Sequence, residues 1–212
     1  MISMFAASTY EEIEQLEKQI ENYEIVVFLF ARPTEADILK EFEYIHYNSA
    51  KYCSIYAIGY TDHLGKAKDP TYRKVNVGFE NDWYYSNKAF VEFKDKLQDR
   101  IQWKYSGGTE ILVLQNNPGN QNVLNFRNYV AIDVNKGIKE GYIDSFQSFM
   151  ESLIRSSKRS VTAKEAMNDI CNSRLSVKSV LVDAIDDSKK VPTSVKKIVK
   201  DRLFYRTTIS TK

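Results

Sequence analysis

Residues 25–30 read IVVFLF, six large apolar side chains in unbroken succession. The run is too short for the core-facing helix of a globular domain, and a strand covered on one face only would alternate apolar with polar residues. Strands that are buried on both faces are continuously apolar, as the parallel strands of α/β proteins are. We therefore predict a central parallel strand at 25–30 and an α/β fold around it.

Apolar runs and amphipathic stretches alternate on both sides of this strand along residues 1–154. They predict the order strand, helix, strand, helix, strand, helix, strand, strand, helix. Turn-forming residues at 116–120 separate the last two strands, which predicts that these two strands pair as a wide antiparallel hairpin. Besides 25–30, the predicted strands are residues 2–6, 53–60, 110–115 and 129–134.

The first predicted helix begins at Thr9, which forms a capping box with Glu12, because the two side chains can satisfy free amide groups at a helix start. Apolar residues follow at helical spacing and predict a surface helix that packs on a sheet. Four acidic residues occupy its other faces: Glu11, Glu14, Glu17 and Glu21.

The other predicted helices also carry apolar residues at spacings of three and four. Thr34 is the predicted cap of the second helix, which runs to about Lys51. Ser86 caps the third, and the glycines at 107–108 end it. The closing helix contains the apolar residues of 146–154.

Residues 62–87 are predicted to be an insertion in this domain, with a short strand at 75–79. Segments of this length between elements are usually functional or carry structure of their own. Asp62 and His63 directly follow the third strand, where open α/β sheets tend to place binding residues. We therefore take both as candidate ligand or partner residues.

Aromatic side chains are frequent around this insertion. Exposed tyrosines often anchor interfaces, because they present a large rigid surface with a polar tip. Burial beneath the insertion explains the same clustering, and the sequence leaves both interpretations open. The clustered residues are Tyr44, Tyr47, Tyr52, Tyr56, Tyr60, Trp83, Tyr84 and Tyr85.

Composition indicates a globular cytoplasmic protein, with 43% hydrophobic and 27% charged residues. The longest apolar run, residues 25–31, is far shorter than the roughly 20 residues that span a bilayer, so we expect no membrane association. The start of the chain lacks the basic region and apolar stretch of a signal peptide. Cys53 and Cys171 are the only cysteines, and we expect both to be buried structural thiols in a reducing compartment.

Charge divides the chain near residue 154. Residues 1–154 carry 16 Lys and Arg against 22 Asp and Glu, a net charge of −6, whereas residues 155–212 carry 14 against 6, a net charge of +8. We therefore predict an α/β domain over 1–154 and a basic helical extension over 155–212, whose last helix spans 193–205. Such a basic surface is either solvated or faces an acidic partner such as nucleic acid. The candidate nucleic-acid residues are Lys189, Lys190, Lys196, Lys197, Lys200, Arg202 and Arg206.

The order of elements in residues 1–154 resembles that of the thioredoxin-like superfamily. The antiparallel strand hairpin before the last helix distinguishes this order from a purely parallel, doubly wound sheet. The resemblance implies a mixed sheet flanked by helices, with a functional site where the second strand meets the second helix. Arg32, Thr34 and Glu35 occupy that junction and are candidate ligand or partner residues.

The redox motif of the superfamily is absent. Its enzymes place Cys-x-x-Cys at this junction, because a helix start lowers the pKa of a thiol. Residues 30–37 contain no cysteine, which excludes dithiol chemistry there. The superfamily also carries a cis proline before its fourth strand, where this sequence has Gly107, Gly108 and Thr109. We therefore expect a protein that is not a dithiol oxidoreductase.

Three functions fit the sequence. The first is a non-redox thioredoxin-like binding or adaptor module that binds a protein partner and carries a basic helical tail. The second is a nucleic-acid-binding regulator or an antiviral-defence-type effector, in which the tail contacts phosphates. The third is a hydrolase that uses the strand-end residues near Arg32 and His63. The sequence predicts no catalytic residue, no cofactor and no metal site, since two histidines without ligand spacing are too few for a metal centre.

Overall fold

The structure is a computed structural model, and it describes residues 4–7, 9–20, 25–49, 53–116, 123–157 and 205–207. Strands and helices alternate along most of the described chain. The strands are β1 (Met4–Ala7), β2 (Ile25–Phe30), β3 (Ser54–Ile58), β4 (Tyr60–Thr61), β5 (Tyr72–Val75), β6 (Trp83–Ser86), β7 (Glu110–Asn116), β8 (Leu124–Asp133) and β9 (Tyr205–Thr207). The helices are α1 (Tyr10–Lys18), α2 (Ala36–Leu39), α3 (Phe42–Ser49), α4 (Leu64–Ala67), α5 (Asn87–Gln98), α6 (Val134–Lys139) and α7 (Phe146–Ser157).

The main sheet has six strands in the order β1-β3-β2-β7-β8-β9. The pairs β1–β3 and β2–β3 are parallel, whereas β7 runs antiparallel to β2 and β8 runs antiparallel to β7. The predicted hairpin of the last two strands is therefore confirmed, and the fold is a mixed sheet flanked by helices. Residues 124–128 of β8 extend this strand beyond the predicted start at 129.

Strand β2 lies in the middle of the main sheet, as IVVFLF predicts. All six of its residues are at most 1% exposed. Phe28 and Phe30 share one face of the strand and contact Phe93 of α5 at ring-centre distances of 5.5 and 6.2 Å. Tyr10 of α1 also contacts Phe93, at 6.1 Å, so α1 and α5 cover the same face of the sheet. The strand is parallel to β3 and antiparallel to β7, so only one of its two pairings is parallel.

The predicted third strand divides at Gly59, which corrects the single strand expected at 53–60. Gly59 has φ +86, in the left-handed region that favours glycine, and the chain turns there from β3 into β4. A Cβ at this position would lie 2.8 Å from the Cβ of Phe90, so the turn also packs closely against α5. Strand β4 then belongs to a second, three-stranded sheet in the order β4-β6-β5.

The insertion carries two strands of this second sheet, β5 and β6. Its strand β5 covers residues 72–75, so the strand predicted at 75–79 was misplaced by about three residues. Asn76 and Gly78 follow as a turn in which the Asn76 side chain accepts from the Gly78 N–H group at 3.1 Å. Short strands of this kind depend on their pairing with neighbours, here the antiparallel pairing of β5 with β6.

Two predicted helix caps are confirmed. The Thr9 hydroxyl accepts from the Glu12 N–H group at 3.3 Å, and the Ser86 hydroxyl accepts from the Ala89 N–H group at 3.2 Å. The closing helix α7 buries the apolar residues predicted for it and continues to Ser157.

Other helix boundaries differ from the prediction. Glu35, not Thr34, precedes α2, because a turn in which the Glu35 N–H group donates to the Arg32 carbonyl at 2.9 Å places Thr34 inside the loop. A turn at residues 40–41 separates α2 from α3, and Lys51 lies outside the described residues. Helix α5 ends at Gln98, well before the glycines at 107–108.

The tail contributes a strand to the main sheet. Residues 205–207 form β9, which pairs antiparallel with β8, so the helix predicted for 193–205 is wrong at Tyr205. Residues 158–204, which include the rest of the predicted helical extension, lie outside the described residues, and the division at 154 stays a prediction. Among the described residues, none of the helices has both the length and the apolar character required to cross a membrane.

Candidate functional site

Arg32 lies in the loop that directly follows β2, and its side chain is exposed. Its guanidinium carbon is 5.5 Å from the ring centre of Phe90 and 5.9 Å from that of Tyr105. A guanidinium at these distances is attracted to the electron-rich faces of the rings. Within the described part of the chain, no carboxylate forms an ion pair with Arg32. The cation is held by aromatic rings and keeps its charge available.

Two tyrosine hydroxyls lie next to Arg32. Tyr85 comes from β6 of the small sheet, and Tyr105 comes from the loop between α5 and β7. Both hydroxyl oxygens are closed off from solvent, and neither O–H group donates to a described residue. The Tyr105 oxygen is placed to accept from the guanidinium of Arg32. Burial raises the pKa of Tyr85 and of Tyr105 to about 12, and the charge of Arg32 opposes this rise in both. Both phenols are therefore protonated at neutral pH and can donate.

Tyr60 attaches the small sheet to this end of the main sheet. Its hydroxyl donates to the carbonyl of Ala31 at 2.9 Å, and its ring centre is 4.9 Å from that of Tyr85. The loop that carries Arg32 is therefore tied to β4 by a buried hydrogen bond. The predicted insertion supplies part of the wall of the site.

Glu110 is a buried carboxyl that holds the loop on which Tyr105 lies. One of its oxygens accepts from the Trp103 indole N–H at 2.7 Å, and the other accepts from the Ser106 N–H group. Burial raises the pKa of Glu110, and these hydrogen bonds oppose the rise. The Tyr105 N–H group donates to the side chain of Gln98 at 2.8 Å, which fixes the loop from its other side. We name the set Arg32, Tyr60, Tyr85, Phe90, Tyr105 and Glu110 the Arg32 cluster.

Of the five candidate ligand or partner residues predicted from the sequence, only Arg32 belongs to this cluster. Thr34 is exposed in the turn, and Glu35 is half-buried at the start of α2, where its charge acts on Tyr105. Asp62 and His63 are exposed, and no contact between described residues joins them to Arg32. His63 instead accepts from the Gly65 N–H group at 3.1 Å and so caps α4. A structural role accounts for this histidine.

An open groove of about 510 Å³ lies beside the loop, between α2 and the end of β5. Its lining is mostly apolar, and it begins at Pro33, the neighbour of Arg32. The lining residues are Pro33, Ala36, Leu39, Lys40, Val75, Asn76 and Gly78.

Sequence reasoning did not assemble the Arg32 cluster, because its six members come from six different strands, helices and loops. Tyr60 and Tyr85 belong to the aromatic set noted in the sequence, and both are buried, as are Tyr56 and Trp83. Tyr47, at 70% exposure, is the strongly exposed member of that set among the described residues. No local sequence pattern marked Tyr105 as a site residue. It lies near Arg32 only because the chain returns to the main sheet in β7.

A second buried carboxyl lies at the opposite end of β2. Glu17 was predicted on an outer face of α1, but the structure buries it completely. Its two oxygens accept from the Tyr56 hydroxyl and from the Asn116 side-chain amide, each at 2.6 Å. Burial raises the pKa of Glu17, and these hydrogen bonds oppose the rise. The prediction failed because two strands distant in sequence supply the polar partners that make burial tolerable.

The environment of Cys53 agrees with the structural role predicted for it. Cys53 is fully buried, and burial raises the pKa of its thiol to about 12, so it is a poor nucleophile at neutral pH. Cys171 lies outside the described residues, as do the candidate nucleic-acid residues from Lys189 to Arg202 and the side chain of Arg206.

Chemically, the Arg32 cluster combines one permanent cation with hydroxyl donors and aromatic faces. These groups suit binding and orientation, whereas covalent catalysis needs an activated nucleophile. Within the described ranges, no group of three or more His, Cys, Asp or Glu side chains is placed to hold a metal ion. Comparison of the chain with protein-family models, with curated proteins and with solved structures found no match in any of the three.

Proposed function

We propose that the α/β domain is a thioredoxin-like binding or adaptor module without redox chemistry, which binds a protein partner at the Arg32 cluster. The strand order supports the first part of this proposal. The structure has a mixed sheet, as the superfamily resemblance implies, with parallel strands in the order β1-β3-β2 followed by antiparallel β7 and β8. The closing helix α7 comes after the hairpin, as that order requires, although the short helix α6 precedes it.

One observation carries the proposed function. At the junction where the superfamily's enzymes hold their dithiol, this chain presents Arg32 against Phe90 and Tyr105, beside two buried hydroxyls that donate to no described residue. A buried donor without an acceptor costs about 1–3 kcal/mol, so such groups are retained at a cost to stability. A binding partner that supplies acceptors recovers this cost, which makes the junction a recognition site.

Site-specific photo-crosslinking tests the binding site. Thr34 is exposed next to Arg32 and can carry a photo-reactive amino acid without disturbing a described hydrogen bond. Tyr47 on α3, also exposed, is the matched control position. We expect a discrete protein adduct from position 34, none of the same mass from position 47, and loss of the adduct in the Arg32→Ala background. Adducts that are identical at both positions, or that persist without Arg32, contradict the proposal.

An insulin reduction assay with dithiothreitol tests the absence of redox chemistry. The loop after β2 has no thiol, and the thiol of Cys53 is buried, so the protein should not raise the rate above that of buffer. Activity that disappears in the Cys53→Ser variant contradicts this expectation.

Nucleic-acid binding by the tail is a second proposal, and the net charge of +8 in residues 155–212 supports it. A basic surface of this kind can neutralise phosphates and release counterions. Its test is the salt dependence of binding described in the Discussion.

A further inference from the structure

The Arg32 cluster holds a guanidinium without a carboxylate partner and two O–H donors that no described group accepts from. The buried hydroxyls of Tyr85 and Tyr105 donate to no described residue, and Tyr85 as a residue is only 8% exposed. The guanidinium of Arg32 has no carboxylate partner among the described residues. These donors come from three different segments and together favour one kind of bound group. That group must accept hydrogen bonds.

Charge distinguishes between the acceptors that would fit. A neutral carbonyl could accept from the hydroxyls but would leave the charge of Arg32 without a counter-ion. Guanidinium groups pair best with planar anions, which accept two parallel hydrogen bonds. An oxyanion therefore uses all the donors of the site.

The carboxyl groups of Glu35 and Glu110 lie near the site and disfavour an anion with more than one negative charge. Glu35 and buried Glu110 both act electrostatically on Tyr105. Arg32 is the cation that faces them within the cluster, so a doubly charged phosphate would be repelled by Glu35 with too little positive charge to offset it. A singly charged carboxylate meets the requirement with less repulsion.

We propose that Arg32, Tyr85 and Tyr105 form a binding site for a carboxylate group, with the guanidinium as counter-ion and the two hydroxyls as donors. The inference rests on the proposed function, since it assigns a ligand class to the same site. Arg32 is exposed and its side chain can move outward, whereas both tyrosine rings are held by their packing against Phe90 at 6.0 and 5.5 Å. The carboxylate enters as the guanidinium moves, and it brings acceptors to the buried hydroxyls.

The carboxylate belongs either to a small organic acid or to the C-terminus of a peptide, and titrations followed by NMR separate the two. The reporter is the side-chain Nε–H resonance of Arg32. The probes are acetate, an N-acetylated triglycine peptide with a free C-terminus, the same peptide with an amidated C-terminus, and inorganic phosphate. We expect saturable shifts with acetate and with the free peptide but not with the amidated peptide. Tighter binding of the free peptide than of acetate identifies a chain end as the ligand.

Variants that remove one donor at a time test the assignment of roles. Arg32→Gln should weaken binding of the free peptide about tenfold or more, and Tyr85→Phe or Tyr105→Phe about threefold to tenfold each, in line with charged and neutral hydrogen bonds. The phenylalanine variants should fold normally, because the O–H groups that they lose donate to no described residue. Tyr47→Phe and Arg73→Gln, both at exposed positions, are controls that should leave binding unchanged.

Several results would overturn this inference. They are equal binding of the amidated peptide, tighter binding of phosphate than of acetate, no response to any carboxylate, or an unchanged affinity in both phenylalanine variants. The crosslink from position 34 is measured separately. If the crosslink persists while carboxylates do not bind, the proposed binding module is supported and the proposed ligand class is wrong. If carboxylates bind but no crosslink forms, the carboxylate site is supported and the proposed protein partner is contradicted.

Discussion

Glu17→Gln is expected to change how the stability of the domain depends on pH. Burial raises the pKa of the Glu17 carboxyl above its ordinary value of 4.5, so the folded state binds this proton more readily than the unfolded state does. Such a group stabilises the fold fully below the unfolded pKa, and its contribution is lost as the pH rises through the folded pKa. Between these two values the wild-type free energy of unfolding should fall by about 1.4 kcal/mol per pH unit from this group alone. The glutamine variant has no such proton, so its stability relative to wild type should increase with the same slope.

The local geometry explains why glutamine fits in place of Glu17. Its side-chain oxygen can accept from the Tyr56 hydroxyl, as the carboxylate does at 2.6 Å. Its NH₂ group would face the Asn116 amide, whose oxygen has no partner in the wild-type structure. Rotation of that amide by half a turn presents the oxygen as an acceptor, so the variant keeps both hydrogen bonds while the charge disappears.

Glu17→Leu provides the contrast. It removes the oxygens that accept from the Tyr56 hydroxyl and from the Asn116 side-chain amide, and the loss of a buried acceptor costs about 1–3 kcal/mol for each group. This variant should be destabilised even at pH 4.5, where the glutamine variant is close to wild type.

Urea unfolding at several pH values from 4.5 to 8, followed by circular dichroism, measures all three proteins. Glu92→Gln, which changes an exposed carboxyl on α5, is the control and should parallel the wild type. Parallel pH profiles for wild type and Glu17→Gln would refute the reasoning, because they would mean that no proton at residue 17 is linked to folding.

Three further expectations concern the central strand, the turn after β3 and the tail. Val27→Asp should prevent folding, since an unpaired buried charge costs several kcal/mol against a total stability of roughly 5–15 kcal/mol; a cooperative thermal transition near that of wild type would contradict the assignment of β2. Gly59→Ala should lower the free energy of unfolding by about 1–3 kcal/mol, because its φ of +86 and its closeness to Phe90 both oppose a side chain; an unchanged urea midpoint would argue against the turn. If the tail binds nucleic acid, affinity should fall steeply between about 50 and 200 mM salt. The logarithm of the binding constant should fall with the logarithm of the salt concentration, with a slope near −0.9 for each phosphate neutralised on B-DNA. The variant K196E/K197E/K200E/R202E should not bind. No binding at the lower salt would retire that proposal.

The parts of the fold that the sequence predicted are those in which local pattern and tertiary environment agree. IVVFLF is apolar at every position because β2 has sheet neighbours on both edges and packed side chains on both faces. The caps at Thr9 and Ser86 were predictable because a side chain reaches an amide three residues away, which is a local interaction. No long-range information was needed for either.

Predicting the small sheet and the Arg32 cluster would have required knowledge of long-range contacts. Strands β5 and β6 are four residues each and alternate only weakly, so their pairing decides their register and position. Tyr105 reaches Arg32 through the antiparallel pairing of β2 with β7, which places Phe30 opposite Glu110. The burial of Glu17 was also unpredictable from local pattern. The helical spacing of α1 places Glu17 off the apolar stripe, but Tyr56 and Asn116 donate hydrogen bonds to it in the core.

The two buried carboxyls mark opposite ends of β2, and this separation lets stability and binding be measured independently. Glu110 lies opposite Phe30, at the end of the strand that leads to Arg32, whereas Asn116, the partner of Glu17, follows the residue opposite Ile25. A six-residue strand is about 16 Å long at about 3.3 Å per residue. Substitutions more than about 7–10 Å apart without shared partners usually act additively. Glu17→Gln should therefore shift unfolding without changing the affinity of the Arg32 cluster, and Tyr105→Phe should change affinity without altering the pH dependence of unfolding. A variant at one end that moved both quantities would mean that β2 couples the two ends.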